Sequence, residues 1–182
     1  MKDLGTLGGS NSEGFGINAG GQVTGYSDIS GDTTRHAFLY SGGAMQDLGT
    51  LGGVESTGTS INDKGEVVGW VIKAGTARAF LYSSGAMYDL NTLVVSGLAG
   101  PPLARATAIN NNGQIVANDC GPTGIECQAY RLDPITSADI PMMSNWMLGA
   151  TSLLLLIAGS VRLRRATWSN GNGVLRRRTL SR

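Results

Sequence analysis

Hydrophobic and polar positions divide the chain into two parts. Before residue 141, apolar side chains come in short groups that are separated by Gly, Asn, Asp and Ser. Residues 142–161 then form a run of 20 positions without a charged side chain. Short groups of β-branched and aromatic residues between turn-forming residues predict β-strands. The uncharged run is as long as a helix must be to cross the hydrocarbon core of a bilayer.

The first part contains an internal repeat. Its first signature, DLGTLGG, begins at residues 3 and 47 and returns in altered form at residue 89, so the repeat is 42 to 44 residues long. Three further signatures follow it in the same order. They are GINAGGQVTG, SINDKGEVVG and AINNNGQIVA at 16–25, 60–69 and 108–117; HAFLY, RAFLY and QAYRL at 36–40, 78–82 and 128–132; and GGAMQDL and SGAMYDL at 42–48 and 84–90. The repeats therefore span 1–46, 47–88 and, in a more divergent copy, 89–134.

Each repeat is predicted to form a small antiparallel sheet. Turns that place Gly at a position of positive φ are expected at 63–65 and 111–113. The segments 38–40 and 80–82 are apolar on both faces, so the sheets are expected to stack on one another. Up to four short strands per repeat is the size of a propeller blade. The predicted fold class is an all-β repeat of blade-like antiparallel β-meanders, in a partial β-propeller or an open β-repeat array, followed by one transmembrane α-helix. Further turns are expected at 41–43 and 83–85, and strands at 22–26, 66–71 and 114–117.

The repeat signatures resemble those of the HAF-repeat family of extracellular bacterial proteins over residues 1–134. The His of HAFLY is His36, and Arg78 and Gln128 take its place in the other copies, so we expect no shared function for it. The resemblance implies export and a β-repeat architecture, and it implies no reaction. Met1 lies in register with Met45 and Met87, which suggests that the chain begins within a longer protein.

The region after the repeats is predicted to be a sorting signal. A linker and motif at 135–141 precede a transmembrane helix at 142–161 and a tail at 162–182. The motif residues resemble those of the IPTL-CTERM and PEP-CTERM sorting signals, which implies recognition by an exosortase-type enzyme. An ordinary single-pass anchor or a buried core helix are the alternatives. The matching residues are Ile140, Pro141, Ser144 and Trp146.

Charge is distributed unevenly along the chain. Residues 1–161 hold 7 Lys and Arg against 13 Asp and Glu, a net charge of −6, whereas residues 162–182 hold 7 Arg and no acid. Arg162, Arg164 and Arg165 directly follow the uncharged run. Positive residues are retained on the cytoplasmic side of membranes, so we expect a cytoplasmic carboxy terminus and an exported body. The alternative, a tail that binds nucleic acid, is not our expectation.

Few residues suggest chemistry. Cys120 and Cys127 flank a turn-like insert, and in an oxidising compartment they are expected to form a disulfide bond; the alternative is two free thiols. The single histidine, His36, is expected to be a solvated side chain at a strand end. The aspartates that begin each DLGTLGG copy are expected to accept hydrogen bonds from turn N–H groups. We predict no catalytic residue, metal site or cofactor.

Two classes of function are compatible with these features. The favoured class is an exported, surface-displayed β-repeat protein with a structural or interaction role, whose partners are the membrane, a sorting enzyme and a surface or matrix ligand. The alternative is a secreted propeller-type hydrolase acting on polysaccharide. Such an enzyme requires two acidic residues that converge on one site.

Overall fold

The computed structural model describes residues 1–94, 102–120 and 127–134, and the backbone of residues 161–165. Three antiparallel four-stranded sheets account for most of these residues, and within each sheet consecutive strands are neighbours. The predicted all-β repeat of antiparallel meanders is thereby confirmed. The described part of the chain contains no closed barrel.

The sheets follow the sequence repeats. The first contains β1 (Gly8–Ile17), β2 (Val23–Ile29), β3 (Arg35–Ser41) and β4 (Ala44–Asp47). The second contains β5 (Glu55–Ile61), β6 (Val67–Lys73), β7 (Thr76–Ser83) and β8 (Ala86–Asp89), and the one-turn helix α1 (Leu90–Leu93) follows it. The third contains β9 (Leu103–Ile109), β10 (Ile115–Cys120), β11 (Cys127–Pro134) and β12 (Val161–Arg165).

The second sheet is covered on both faces. Val67, Val71 and Phe80 belong to the apolar cluster that it shares with the first sheet. Val68 and Ala79 belong to the cluster that it shares with the third sheet. Alternate residues of a strand point to opposite faces, so β6 contributes to both cores. This arrangement confirms the predicted stacking of sheets and explains why the HAFLY-type strands are apolar on both faces.

Asparagine-containing turns join the sheets along one edge. The Asn18 side chain accepts a hydrogen bond from the Gln22 N–H (2.9 Å), and its amide donates to the carbonyl oxygen of Asn62 (2.9 Å). The Asn62 amide in turn donates to the carbonyl oxygen of Asn110 (3.2 Å). The Asn of each repeat thus closes its own turn and, in the first two copies, bonds to the next repeat. Gly65 and Gly113 in these turns have φ values of 77° and 76°, as predicted.

Two features at the end of the repeats were not predicted. Helix α1 is one turn long and is capped by Asp89, whose side chain accepts a hydrogen bond from the Asn91 N–H (2.9 Å). β12 pairs with β11, so Val161 lies in a strand and not at the end of a helix. The predicted end of the membrane helix at residue 161 therefore differs from the structure. Without β12, β11 would be an edge strand with unpaired backbone groups, and the pairing with β12 supplies their hydrogen-bond partners. β12 also places the backbone of Arg162, Arg164 and Arg165 beside the repeats, whereas the predicted topology places it across a bilayer from them.

The sorting motif and nearly all of the predicted membrane helix lie outside the described residues. Ile140, Pro141, Ser144 and Trp146 are among these positions. Within the described residues, no helix has the length and apolar character that a membrane span requires. The sorting signal and the membrane topology stay predictions.

Candidate functional site

A groove of about 640 Å³ crosses the first strands of all three sheets. Its wall combines aromatic rings with hydroxyl groups and charged groups, which is the composition expected of a ligand site. The second strands of the first two sheets and the start of β3 complete the wall. The lining residues are Glu13, Phe15, Tyr26, Arg35, Thr57, Thr59, Trp70 and Thr107.

Most of the groove is built from equivalent positions of the repeats. In the first sheet Glu13 is paired across the strands with Tyr26, and in the second Thr57 is paired with Trp70. Both Glu13 and Thr57 lie five residues before the Asn of the turn motif. The same position of the third repeat is Arg105, whose guanidinium lies 5.3 Å from the centre of the Trp70 ring.

A β-bulge recurs beside each of these positions. The pairing of β1 with β2 skips Phe15, that of β5 with β6 skips Thr59, and that of β9 with β10 skips Thr107. All three skipped residues line the groove. A bulge leaves its extra residue out of the ladder and re-aims its side chain. The repeated bulge therefore directs one side chain from each repeat into the same groove.

Glycine permits the close strand approach at the bulge in the first two repeats. A Cβ atom at Gly69 would overlap the carbonyl oxygen of Thr57, and one at Gly25 would overlap that of Glu13. The glycines of the GINAGGQVTG and SINDKGEVVG signatures thus serve the backbone that carries the groove side chains. In the third repeat Ala117 stands at this position, and the register of β9 with β10 shifts beside it.

One set of positions at the groove differs in every repeat, whereas the turn framework does not. The turn Asn and the turn Gly are the same in all three copies. The position five residues before the turn Asn, in contrast, holds Glu13, Thr57 and Arg105, of which the first two line the groove and Arg105 lies beside it on Trp70. A turn position keeps its residue type because the same structural contact recurs in each repeat. No such shared requirement acts on this set, so its side chains are free to serve one asymmetric ligand.

Aromatic rings are accessible along the groove. Phe15 is 49 % exposed, and its ring centre lies 5.9 Å from that of Tyr26. The Arg35 guanidinium lies 4.9 Å from the centre of the Tyr26 ring, and Arg105 makes the corresponding contact with Trp70. Guanidinium groups are attracted to the negative faces of aromatic rings at such distances. A ring thus holds Arg35 in the groove, and another holds Arg105 beside it.

Glu13 fixes the orientation of Tyr26. The Tyr26 hydroxyl donates a hydrogen bond to the Glu13 carboxylate (2.9 Å). This bond, with a smaller contribution from burial, raises the pKa of Tyr26 above its ordinary value of 10.0. The phenol therefore keeps its proton at neutral pH and remains a hydrogen-bond donor.

Thr57 carries a buried hydroxyl that lacks a hydrogen-bond partner. Its residue is 4 % exposed, and within the described residues its Oγ1 is the one buried side-chain oxygen or nitrogen without a partner. The neighbouring Thr59 differs, because its hydroxyl lies within hydrogen-bond distance of the carbonyl oxygen of Ala106 (2.7 Å). A buried hydroxyl without a partner costs about 1–3 kcal/mol of stability. Thr57 lines the groove, so a bound ligand is in a position to satisfy this group.

The repeated aspartates accept turn hydrogen bonds, as predicted. Asp3 accepts from the Gly5 N–H (3.0 Å), and Asp47 accepts from the Gly49 N–H (2.7 Å). Asp89 makes the equivalent bond at the start of α1. These residues hold the connections between sheets and lie outside the groove.

His36 is not the freely solvated side chain that the sequence suggested. Its Nδ1 lies 2.9 Å from an Asp47 carboxylate oxygen, and the side chain is 20 % exposed. Arg78, which replaces it in the second repeat, lies 3.4 Å from Asp89 in the same way. The partner of this position is the aspartate of the following connection, and both His and Arg supply a donor to it. The exchange of His for Arg between repeats is explained by this shared contact.

The disulfide bond and a carboxylate with two hydrogen bonds lie outside the groove. Cys120 and Cys127 form a disulfide bond between β10 and β11, with their Cα atoms 4.2 Å apart. Ser10 donates hydrogen bonds to Asp32 through its N–H (2.6 Å) and its hydroxyl (2.7 Å), and these bonds hold the pKa of Asp32 below its usual range. No group of His, Cys, Asp and Glu suited to a metal ion occurs within the described residues.

Sequence reasoning missed the groove entirely. The signal was present in the repeat alignment, as the position five residues before each turn Asn, whose residue type differs in every copy. Those positions could not be assigned to one site without knowing how the sheets stack. Comparisons of this chain with protein-family models, with curated proteins and with solved structures found no match. The chemistry of the groove is thus the basis for assigning a function.

Proposed function

We propose that this chain is a non-catalytic binding module, exported and displayed at the cell surface, whose ligand lies in the groove across the three repeats. One observation carries the proposal. Equivalent positions of a repeated framework converge at one groove, and one set of them, Glu13, Thr57 and Arg105, holds a different residue type in every copy, while the turn Asn and the turn Gly are the same. The exposed Phe15 ring and the unpartnered Thr57 hydroxyl support a ligand at this place.

We further propose that the three sheets are consecutive blades of a propeller or of an open array. Each connection leads from the last strand of one sheet to the first strand of the next. The first strands β1, β5 and β9 contact one another in order, and each sheet packs against the following one through the latter's first strand. Propeller blades are related in the same way. In such an arrangement the groove follows the side on which the first strands meet.

Export and anchoring are part of the proposal. The Cys120–Cys127 disulfide favours an oxidising compartment, where such bonds persist. The uncharged run favours association with a membrane, with sorting through the motif at Ile140 and Pro141. The pairing of β12 with β11 keeps both ends of this run on the same side of that membrane. A β-repeat body on such an anchor is suited to contact material outside the cell.

The hydrolase alternative finds less support in the groove. Glycoside hydrolysis by the common mechanism requires two carboxyl groups on opposite sides of the bond that is cleaved. Among the groove-lining residues of the described part, Glu13 carries the one carboxylate, and it accepts the Tyr26 hydroxyl. A binding function needs no pair of carboxyl groups, and the rings, hydroxyl groups and charged groups of the groove can all contact a bound ligand.

Thermal-shift measurements on the full-length chain in detergent micelles test the proposal. A panel of soluble glycans, peptides and oligonucleotides is screened, and chromatography of each mixture detects any product. We expect at least one saturable rise in Tm, with no product, that Trp70→Ala abolishes. Tyr88→Ala serves as a matched control, because Tyr88 is a partly exposed ring on β8 outside the groove. Turnover of a ligand, or a rise in Tm that Trp70→Ala leaves unchanged, would contradict the proposal.

A further inference from the structure

We propose that the ligand of the groove is a glycan that contains uronic acid units, with a sugar ring on Trp70 and a sugar carboxylate at Arg105. This inference rests on the proposed binding function and specifies its ligand class. It is carried by three features: aromatic rings that line the groove, hydroxyl groups that line it with them, and, beside the groove, an arginine without a carboxylate partner.

The rings suit the apolar side of a sugar. A pyranose presents C–H groups on its faces, and these carry partial positive charge that is attracted to the negative face of an aromatic ring. Trp70 offers the largest such face in the groove, and Phe15 is 49 % exposed. The two rings belong to neighbouring sheets, so successive units of an extended chain have separate surfaces to contact.

Hydroxyl groups between the rings suit the polar edge of a sugar. Thr57 has a buried hydroxyl without a protein partner. The Thr107 hydroxyl is exposed and makes only a long hydrogen bond to the carbonyl oxygen of Val116 (3.4 Å). Each hydroxyl both donates and accepts, as the hydroxyls of a sugar do. A purely apolar ligand would leave the Thr57 hydroxyl unsatisfied.

Arg105 supplies the charge preference. It is exposed, and within the described residues it makes no ion pair. Its guanidinium lies beside the groove over the Trp70 ring, 5.3 Å from the ring centre. In the proposed complex the sugar contacts the rest of the indole, and the N–H groups of Arg105 meet the sugar carboxylate. A uronic acid carries its carboxylate on the same ring whose face would rest on Trp70. A single sugar unit of the ligand therefore contacts both Trp70 and Arg105.

The other end of the groove offers no second unpaired cation. Glu13 lies there, and Arg35 is 3.9 Å from the carboxylate of Glu55. A nucleic acid binds largely through cationic side chains on many of its phosphates, so it is the less favoured ligand, although rings and arginines also bind single strands. A peptide that binds by strand addition requires a free sheet edge, whereas the groove is formed by side chains.

Matched ligands make the test specific. Isothermal titration of the full-length chain in detergent micelles compares four probes: oligogalacturonate, its methyl ester, oligoglutamate and oligothymidylate. The methyl ester keeps the sugar rings and removes their charge, and oligoglutamate keeps carboxylates without sugar rings. We expect oligogalacturonate to bind about tenfold more tightly than its methyl ester, a difference that one charge-assisted contact supplies. Arg105→Gln is expected to remove that difference, and Trp70→Ala to abolish binding of both.

Each contrary result has a distinct meaning. Equal affinity for oligogalacturonate and its ester would overturn the assignment of a carboxylate to Arg105. Binding of oligoglutamate or oligothymidylate as tight as that of oligogalacturonate would overturn the sugar. If none of the four probes binds but another compound raises Tm in a Trp70-dependent manner, the glycan inference fails while the binding module stands. If no compound does so, both fail.

Discussion

Replacement of Thr57 by Val separates a structural role from a binding role at the groove. Thr57 is 4 % exposed, and its Oγ1 has no partner among the described residues. Valine has nearly the same shape and removes the hydroxyl. If the hydroxyl is present for a ligand, its removal should improve the fold and impair binding at the same time.

The expected magnitudes follow from the burial of this hydroxyl. A buried hydroxyl without a partner costs about 1–3 kcal/mol, so we expect Thr57→Val to raise the free energy of unfolding by about 1–2 kcal/mol. For a protein of this size that corresponds to a rise in Tm of roughly 3–6 °C. A lost ligand hydrogen bond should reduce affinity for the groove ligand by about tenfold.

Thr24→Val is the matched control. Thr24 is fully buried, and its hydroxyl donates to the carbonyl oxygen of Phe38 (2.7 Å). Its replacement leaves that carbonyl without this partner, so we expect a loss of about 1–2 kcal/mol and unchanged ligand affinity. Thermal unfolding by circular dichroism and titration calorimetry measure the two quantities for both variants. A Thr57→Val protein that is less stable than wild type, or that binds ligand as tightly, would refute the reasoning.

Three further predictions concern the framework and the sorting signal. Asn62→Ala should lower the free energy of unfolding by about 2–4 kcal/mol in denaturant titrations, because the Asn62 side chain bonds both its own turn and the next repeat. Asn110→Ala, which in the described structure removes bonds within one turn, should lower it by less. Equal losses for the two variants would argue against the inter-repeat bond. Ser84→Asn should raise stability by about 0.5–1 kcal/mol, since Ser84 has a φ of 53° and precedes Gly85 in a hairpin turn that favours Asn-Gly; a lower Tm would contradict this. Pro141→Ala should block cleavage of the chain near the motif if a sorting enzyme recognises it. The same carboxy-terminal end in the surface-exposed wild-type and variant proteins, measured by mass spectrometry, would contradict this prediction.

The sequence predicted the framework well because its repeated residues act locally. The turn glycines at 65 and 113 require positive φ whatever surrounds them, and the two-sided apolar strands must be covered on both faces. The strands predicted at 22–26, 66–71 and 114–117 correspond to β2, β6 and β10, with ends shifted by a few residues. Such features depend on a short stretch of chain, so a single sequence reveals them.

The groove depends on distant contacts and was therefore not predicted. Trp70 and Arg105 are far apart in the sequence and meet only because the second and third sheets stack in a particular register. The partner of His36 was missed for a related reason, since Asp47 reaches it across the β3–β4 hairpin. Helix α1 is too short for a periodic pattern to reveal it, and its start depends on the Asp89 cap.

The most direct measurement of the central claim uses the fluorescence of Trp70. The chain has three tryptophans, so replacing Trp146 and Trp168 by Phe leaves Trp70 as the single indole. Oligogalacturonate is titrated into this variant, while calorimetry on the same sample reports total binding. We predict a saturable change in Trp70 emission with the same dissociation constant as the calorimetric titration. In the Arg105→Gln background we expect the same change at about tenfold higher ligand concentration. Calorimetric binding that leaves the emission of Trp70 unchanged would show that the ligand lies elsewhere and would contradict the assignment of the groove.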